Sequence, residues 1–192
     1  MLKEPTRRVR CLLRDEAQRL LQNLPPLLAD IASFSLSTGL RRANVTEHRW
    51  DQVDIENRRA WVHPDQAKAR KAIPVPLNED ALEVVSKQVG KHRELVFSYR
   101  DKQVHQVSTK AWYAALQRAG ISDFRWYDLR HTWASWHVQG GTPRFVLQEL
   151  GGQESAEMVR KYAHFAAEHL TLWADRLAEQ NVLGTNPSQG AK

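Results

Sequence analysis

The sequence predicts an α+β domain, mostly helical, with one small antiparallel three-stranded sheet. Three observations lead there. Apolar residues recur at helical spacing over most of the chain, with Gly or Pro where each run stops. Between residues 50 and 77 the pattern gives way to short apolar runs broken by a polar turn. The chain has 192 residues and is 42% hydrophobic, which suits one well-cored domain rather than two.

Asp15-Glu16 opens the first helical pattern, carried by Leu20, Leu21 and Leu24 and stopped by Pro25-Pro26. A second helix over about 27–37 places Leu28, Ile31, Ala32 and Leu36 on one face and ends at Thr38-Gly39, which leaves Arg41 just beyond it. A short helical turn at 43–45 precedes a strand at 50–55, a turn at 56–59, a strand at 60–63 and a third strand at 72–77, whose prolines argue for a sheet edge. The charge-rich tip at 66–71 joins the last two strands. Asn78 caps a helix with Leu82, Val85 and Val89 on one face, ending at Gly90, and the type of the short apolar run 94–97 stays open. Ser108 caps a helix that stops at Gly120, and Asp128 caps one with a stripe of Leu129, Trp133 and Trp136. Pro143 takes the first position of a helix closed by Gly151-Gly152. Ser155 starts another towards Tyr162, residues 166–180 form an amphipathic helix with Leu170, Trp173 and Leu177 on its face, and 184–192 has the composition of a disordered tail.

Net charge is +6 and the pI is near 9.7, which favours a polyanionic partner. Residues 1–130 hold 23 Lys and Arg against 16 Asp and Glu, whereas 131–192 hold 5 against 6, so the cationic excess lies in the first part. No membrane span or signal peptide is legible, and a cytoplasmic location is expected. The lone cysteine, Cys11, reads as a small buried side chain. There is no P-loop, dinucleotide fingerprint, paired-cysteine zinc signature or Gly-x-Ser-x-Gly elbow, so no metal site and no cofactor are expected.

What remains is a set of cations and one tyrosine: Thr38-Gly39-Leu40-Arg41-Arg42, Lys68 in the charged hairpin, Tyr127-Asp128-Leu129-Arg130-His131-Thr132, Leu150-Gly151-Gly152, and Met158-Val159-Arg160-Lys161-Tyr162-Ala163-His164. Read alone, an arginine past a helix end is most often a surface ion pair or a dipole partner, and Tyr162 a half-buried aromatic. In this order, over roughly residues 12–180, the segments resemble the catalytic domain of the tyrosine recombinases and phage integrases. The resemblance implies a DNA strand transferase that cuts and rejoins DNA through a 3′-phosphotyrosyl intermediate on Tyr162. Arg41 and Arg130 would bind the phosphate, Lys68 would protonate the leaving oxygen, and Tyr127 would contact the phosphate from the box. Auxiliary positions are His131, Gly152 and His164. Arg42, Arg70 and Lys71 are the candidate DNA-backbone contacts. Two forked guanidiniums suit the charge that builds on a five-coordinate phosphorus, because they stay protonated at any working pH.

The sequence departs from the family pattern in two places: Tyr127 stands where a histidine usually heads the box, and Gly152-Gln153 stands where a His or Trp follows Leu-Gly. A neutral phenol is a weak base near neutral pH. The domain reading is a catalytic domain over 1–183 with the tail 184–192 and without the N-terminal core-binding domain. The expected partner is a double-stranded DNA attachment site, bound by a recombinase tetramer, with a monomer or weak oligomer when free and no membrane. Alternatives are a catalytically impaired DNA-binding fragment of the same fold and an unrelated basic DNA-binding module. A type IB topoisomerase shares the chemistry but is the lesser relative.

Overall fold

The computed structural model describes residues 10–67, 70 and 72–151. Its elements run α1 (Arg14–Asn23), α2 (Pro26–Thr38), α3 (Arg42–Thr46), a 3-10 turn (Trp50–Gln52), β1 (Val53–Asp54), β2 (Arg59–Val62), β3 (Ile73–Pro76), α4 (Glu79–Ser86), β4 (Ser98–Tyr99), β5 (Lys102–Gln103), α5 (Lys110–Arg118), α6 (Asp128–Gln139) and α7 (Arg144–Leu150). The α+β class holds. Helix α2 is the axis of the core: Ile31, Ala32, Phe34 and Leu36 are buried, and it packs against α4 on one side and α6 on another, while α1 packs on α5. Its last turn closes at Gly39 in the left-handed conformation (φ 64°), with the Gly39 N–H donating to Ser35 O.

The three-stranded sheet has the order β1-β2-β3, antiparallel throughout, with Ala60 opposite Val75 and Val62 opposite Ile73. Ala60, Val62, Ile73 and Val75 point into the core while Pro74 and Pro76 face outward, the alternation a half-buried strand requires. The prolines do mark an edge strand, since β3 ends the sheet.

Several expectations are corrected. Residues 50–52 form a 3-10 turn rather than strand, because Gln52 folds back to accept the Arg49 N–H (3.1 Å), and only Val53–Asp54 pairs with β2. A second sheet exists, the hairpin β4-β5 turning through Arg100 and Asp101, both at positive φ (51° and 62°). The run 94–97 buries Val96 and Phe97, and Leu95 bridges to Arg49. Helix α4 ends at Ser86, so its buried face is Ala81, Val84 and Val85, and Val89 beyond it is exposed. The Asn78 cap is real, its side chain accepting from Ala81 N at 2.9 Å. Ser108 is not a cap: α5 starts at Lys110, with Thr109 at the cap and no side-chain bond there. Pro143 occupies the cap of α7 rather than its first helical position. Asp128 is the first residue of α6, not its cap, because its carboxylate reaches back to the Arg125 N–H at 2.8 Å. Cys11 is half-buried rather than buried; its Sγ lies 3.5 Å from His131 O, and burial is the main cause raising its thiol pKa. The helices expected at 155–162 and 166–180 and the tail 184–192 lie outside the described residues, as do Lys68, Lys71, Gly152, Tyr162 and His164.

Candidate functional site

Arg41 is the residue before α3 (φ −67°, ψ 150°), so the chain leaves the left-handed Gly39 and turns into a new helix with the Arg41 carbonyl accepting Val45 N–H at 3.1 Å. Arg41 is half-buried, and among the described residues neither a hydrogen bond nor an ion pair takes its guanidinium.

Arg130 sits in the first turn of α6 and is only 4% exposed. Its guanidinium donates to the Gly39 carbonyl and, at 2.6 Å, to the Gly151 carbonyl. A buried cation is costly unless hydrogen-bonded; here it ties the end of α2 to the end of α7. Packing enforces the same junction, because a Cβ on Gly39 would overlap the ring of Trp133. Trp133 is buried as the stripe predicts, Trp136 is half-buried with its indole N–H on Leu12 O (3.0 Å), and Trp126 packs on Trp112 with centroids 4.7 Å apart.

Arg41, Arg130 and Tyr127 meet in one concave pocket of about 380 Å³, with Arg42 and Arg125 also on its walls. The described lining thus carries four arginines and no carboxylate. Tyr127 is 49% exposed and its ring meets His131 edge-on, with centroids 4.8 Å apart at 82°. His131 itself does not line the pocket. Arg42 is exposed, with Nη1 donating to His105 O at 2.8 Å. Arg70 is exposed, with a positive φ of 51°. A larger groove of about 620 Å³ between α1, α2 and α6 contains none of the predicted site residues.

Two features were not anticipated from sequence. Arg125 is clamped by buried Asp128, with Nε–Oδ2 at 3.1 Å and Nη2–Oδ1 at 2.9 Å, a pairing whose only trace in sequence is the three-residue spacing. Asn44, in α3, donates to the Gln66 carbonyl at 3.0 Å, and the Gln52 side chain donates to Gln66 Oε1 at 2.6 Å. This buried amide chain fixes the base of the charged hairpin to the helix that follows Arg41.

The sequence pattern of the phage integrase family matches residues 10–169. The chain is 46% identical over 193 residues to the integrase of Salmonella phage P22, covering 94% of this chain and 49% of that protein. It is 24% identical over 177 residues to the tyrosine recombinase XerA of Thermococcus kodakarensis, covering 88% of this chain and 62% of that one. Among solved structures, the catalytic domain of bacteriophage HP1 integrase superposes with a TM-score of 0.69 at 25% identity, covering 95% of this chain and all of that domain. A XerA recombinase crystal structure matches in fold with a TM-score of 0.72 at 20% identity, covering 90% of this chain and 65% of that one. The chain therefore spans about half the length of the P22 integrase, and with its family pattern, its fold and its arginine-lined pocket it belongs to the phage integrase family.

Proposed function

We propose that this chain is the catalytic domain of a site-specific DNA recombinase, over residues 1–183 followed by a tail, which breaks and rejoins strands through a phosphotyrosyl intermediate. The observation that carries the reading is the pocket: half-buried Arg41, with no acid beside it, faces the same space as Arg130. A phosphodiester supplies the missing anion. Arg41 and Arg130 hold its nonbridging oxygens and stabilise the charge added at five-coordinate phosphorus. Tyr127 donates its phenol hydrogen to one of them. Tyr162 releases its phenol proton to water, the phenolate being stabilised by the cations of the pocket. Its oxygen attacks phosphorus, the bond to the 5′ oxygen breaks, and Lys68 gives that oxygen a proton, leaving a 3′-phosphotyrosyl bond and a free 5′ hydroxyl. Attack by a 5′ hydroxyl reverses the sequence, and no net hydrolysis is needed. His131 and His164 are auxiliary, and Arg42, Arg70 and Lys71 grip flanking backbone. The partner is a double-stranded attachment site in the cytoplasm, bound as a tetramer.

A suicide substrate, a duplex nicked so that the cleaved strand end diffuses away, tests this. The reading predicts a covalent protein–DNA adduct that maps to Tyr162 and disappears in Tyr162→Phe. A second reading, a DNA-binding fragment of impaired activity, is favoured by Tyr127 at the imidazole position; it predicts DNA binding with no adduct.

A further inference from the structure

The pocket has a second cationic wall that the reaction above does not use. Arg125 lies in the loop before α6, and both its backbone N–H and its side chain are held by one carboxylate: Asp128 accepts from Arg125 N at 2.8 Å, from Nε at 3.1 Å and from Nη2 at 2.9 Å. The Asp128 side chain is 1% exposed, whereas that of Arg125 is 44% exposed. The carboxylate is therefore a buried brace behind a half-exposed guanidinium, on a residue that lines the pocket. Among the described residues no partner takes its Nη1. The bond to Asp128 raises the guanidinium pKa further, so the charge is permanent.

An arginine that serves only an ion pair gains little from sitting half-exposed on the rim of a pocket already holding three others, where like charges repel. Bracing it in one rotamer removes the side-chain entropy that an anion would otherwise have to overcome. Ser108 and Tyr113, both hydroxyl-bearing, line the same pocket. We propose that Arg125 is a further phosphate-binding residue, held by Asp128 to take a DNA backbone phosphate next to the one gripped by Arg41 and Arg130. The proposal rests on the reading of this pocket as a DNA phosphate site and extends it to a second phosphate.

The test is equilibrium binding of a mixed-sequence duplex across a salt series, since each phosphate contact contributes about 0.9 to the slope of log affinity against log salt. Arg125→Gln keeps an amide that can bond Asp128 but removes the charge, and its slope should be about 0.9 shallower than wild type. Arg41→Gln should fall alike, and Arg118→Gln, an arginine bonded to Asn23 away from the pocket, should match wild type. Arg125→Lys should keep the slope yet bind several-fold more weakly at every salt concentration, because one ammonium cannot span the Asp128 carboxylate and a phosphate; this variant decides the matter if Arg125→Gln does not fold. If Arg125→Gln keeps the wild-type slope while Arg41→Gln loses slope, the Arg125 proposal fails and the pocket reading stands. Arg125→Lys binding as tightly as wild type, or Arg118→Gln losing as much slope as Arg125→Gln, also overturns the proposal. If neither pocket variant changes the slope, or the wild-type chain retains no duplex at low salt, the pocket reading falls with it.

Discussion

Gly39 joins the end of α2 to the pocket, and Gly39→Ala should be among the most damaging one-atom changes in the described chain. Its φ of 64° costs a side-chain residue about 1–2 kcal/mol. The added Cβ would also fall inside the Trp133 ring, with Cε2 at 2.7 Å, and forcing an extra carbon into a packed core costs about 1–3 kcal/mol more. The total is about 2–5 kcal/mol. Gly90→Ala is the matched control, since its φ is 81° and no atom lies within 4 Å of its Cβ, so it should lose only the backbone part. Urea unfolding followed by tryptophan fluorescence gives both losses from the midpoints at a common slope. In a Gly39→Ala, Trp133→Leu double variant the losses should sum to less than the singles, because the smaller side chain makes room. Equal losses for Gly39→Ala and Gly90→Ala would refute the packing argument.

Other outcomes follow from buried polar groups. Burial lowers the His48 pKa to about 4, below the free value near 6.5. The unfolded chain therefore binds more protons between those pH values, and stability, complete above about pH 6.5, should fall as pH drops towards 4, by up to about 3 kcal/mol. His48→Leu should flatten most of that slope in urea titrations, leaving a smaller part from His137, whose pKa burial also lowers. Asn44→Ala strips the donor from the Gln66 carbonyl and should cost about 1–3 kcal/mol in the same assay. Asp128→Asn weakens the bracing of Arg125 and should lower the unfolding midpoint by a comparable amount, about 1–3 kcal/mol.

Much of the fold was legible because its signals are local. Leu28, Ile31, Ala32 and Leu36 repeat at helical spacing and all lie on α2, and the prolines of β3 mark an edge because they cannot donate to a further strand. The β4-β5 hairpin was not legible. Its turn residues, Arg100 and Asp101, adopt positive φ without the Asn-Gly or Asp-Gly signature that announces such turns. The 3-10 turn at 50–52 escaped for a similar reason, since the Gln52 side chain rather than a repeating pattern sets it. At the site, the family motifs led to the expectation that Arg41, Lys68, Arg130 and Tyr162 converge on one pocket. Arg41 and Arg130 share a pocket with Tyr127, while Lys68 and Tyr162 lie outside the described residues. No local pattern could reveal that Arg130 also ties Gly39 to Gly151, or that the Asp128 carboxylate points back to Arg125 instead of capping its helix. Those bonds depend on where distant segments meet.

In the proposed reaction Arg41 and Arg130 stabilise one phosphorus centre together. Single-turnover cleavage of a suicide duplex at saturating protein tests it most directly, with wild type, Arg41→Lys, Arg130→Lys and the double variant. Removing one forked donor from a transition state costs about 10²–10³ in rate, so each single variant should slow adduct formation at Tyr162 by about that much. The double variant should lose less than the product of the two, as groups acting on one centre do. Cleavage at the wild-type rate by either single variant would contradict the account.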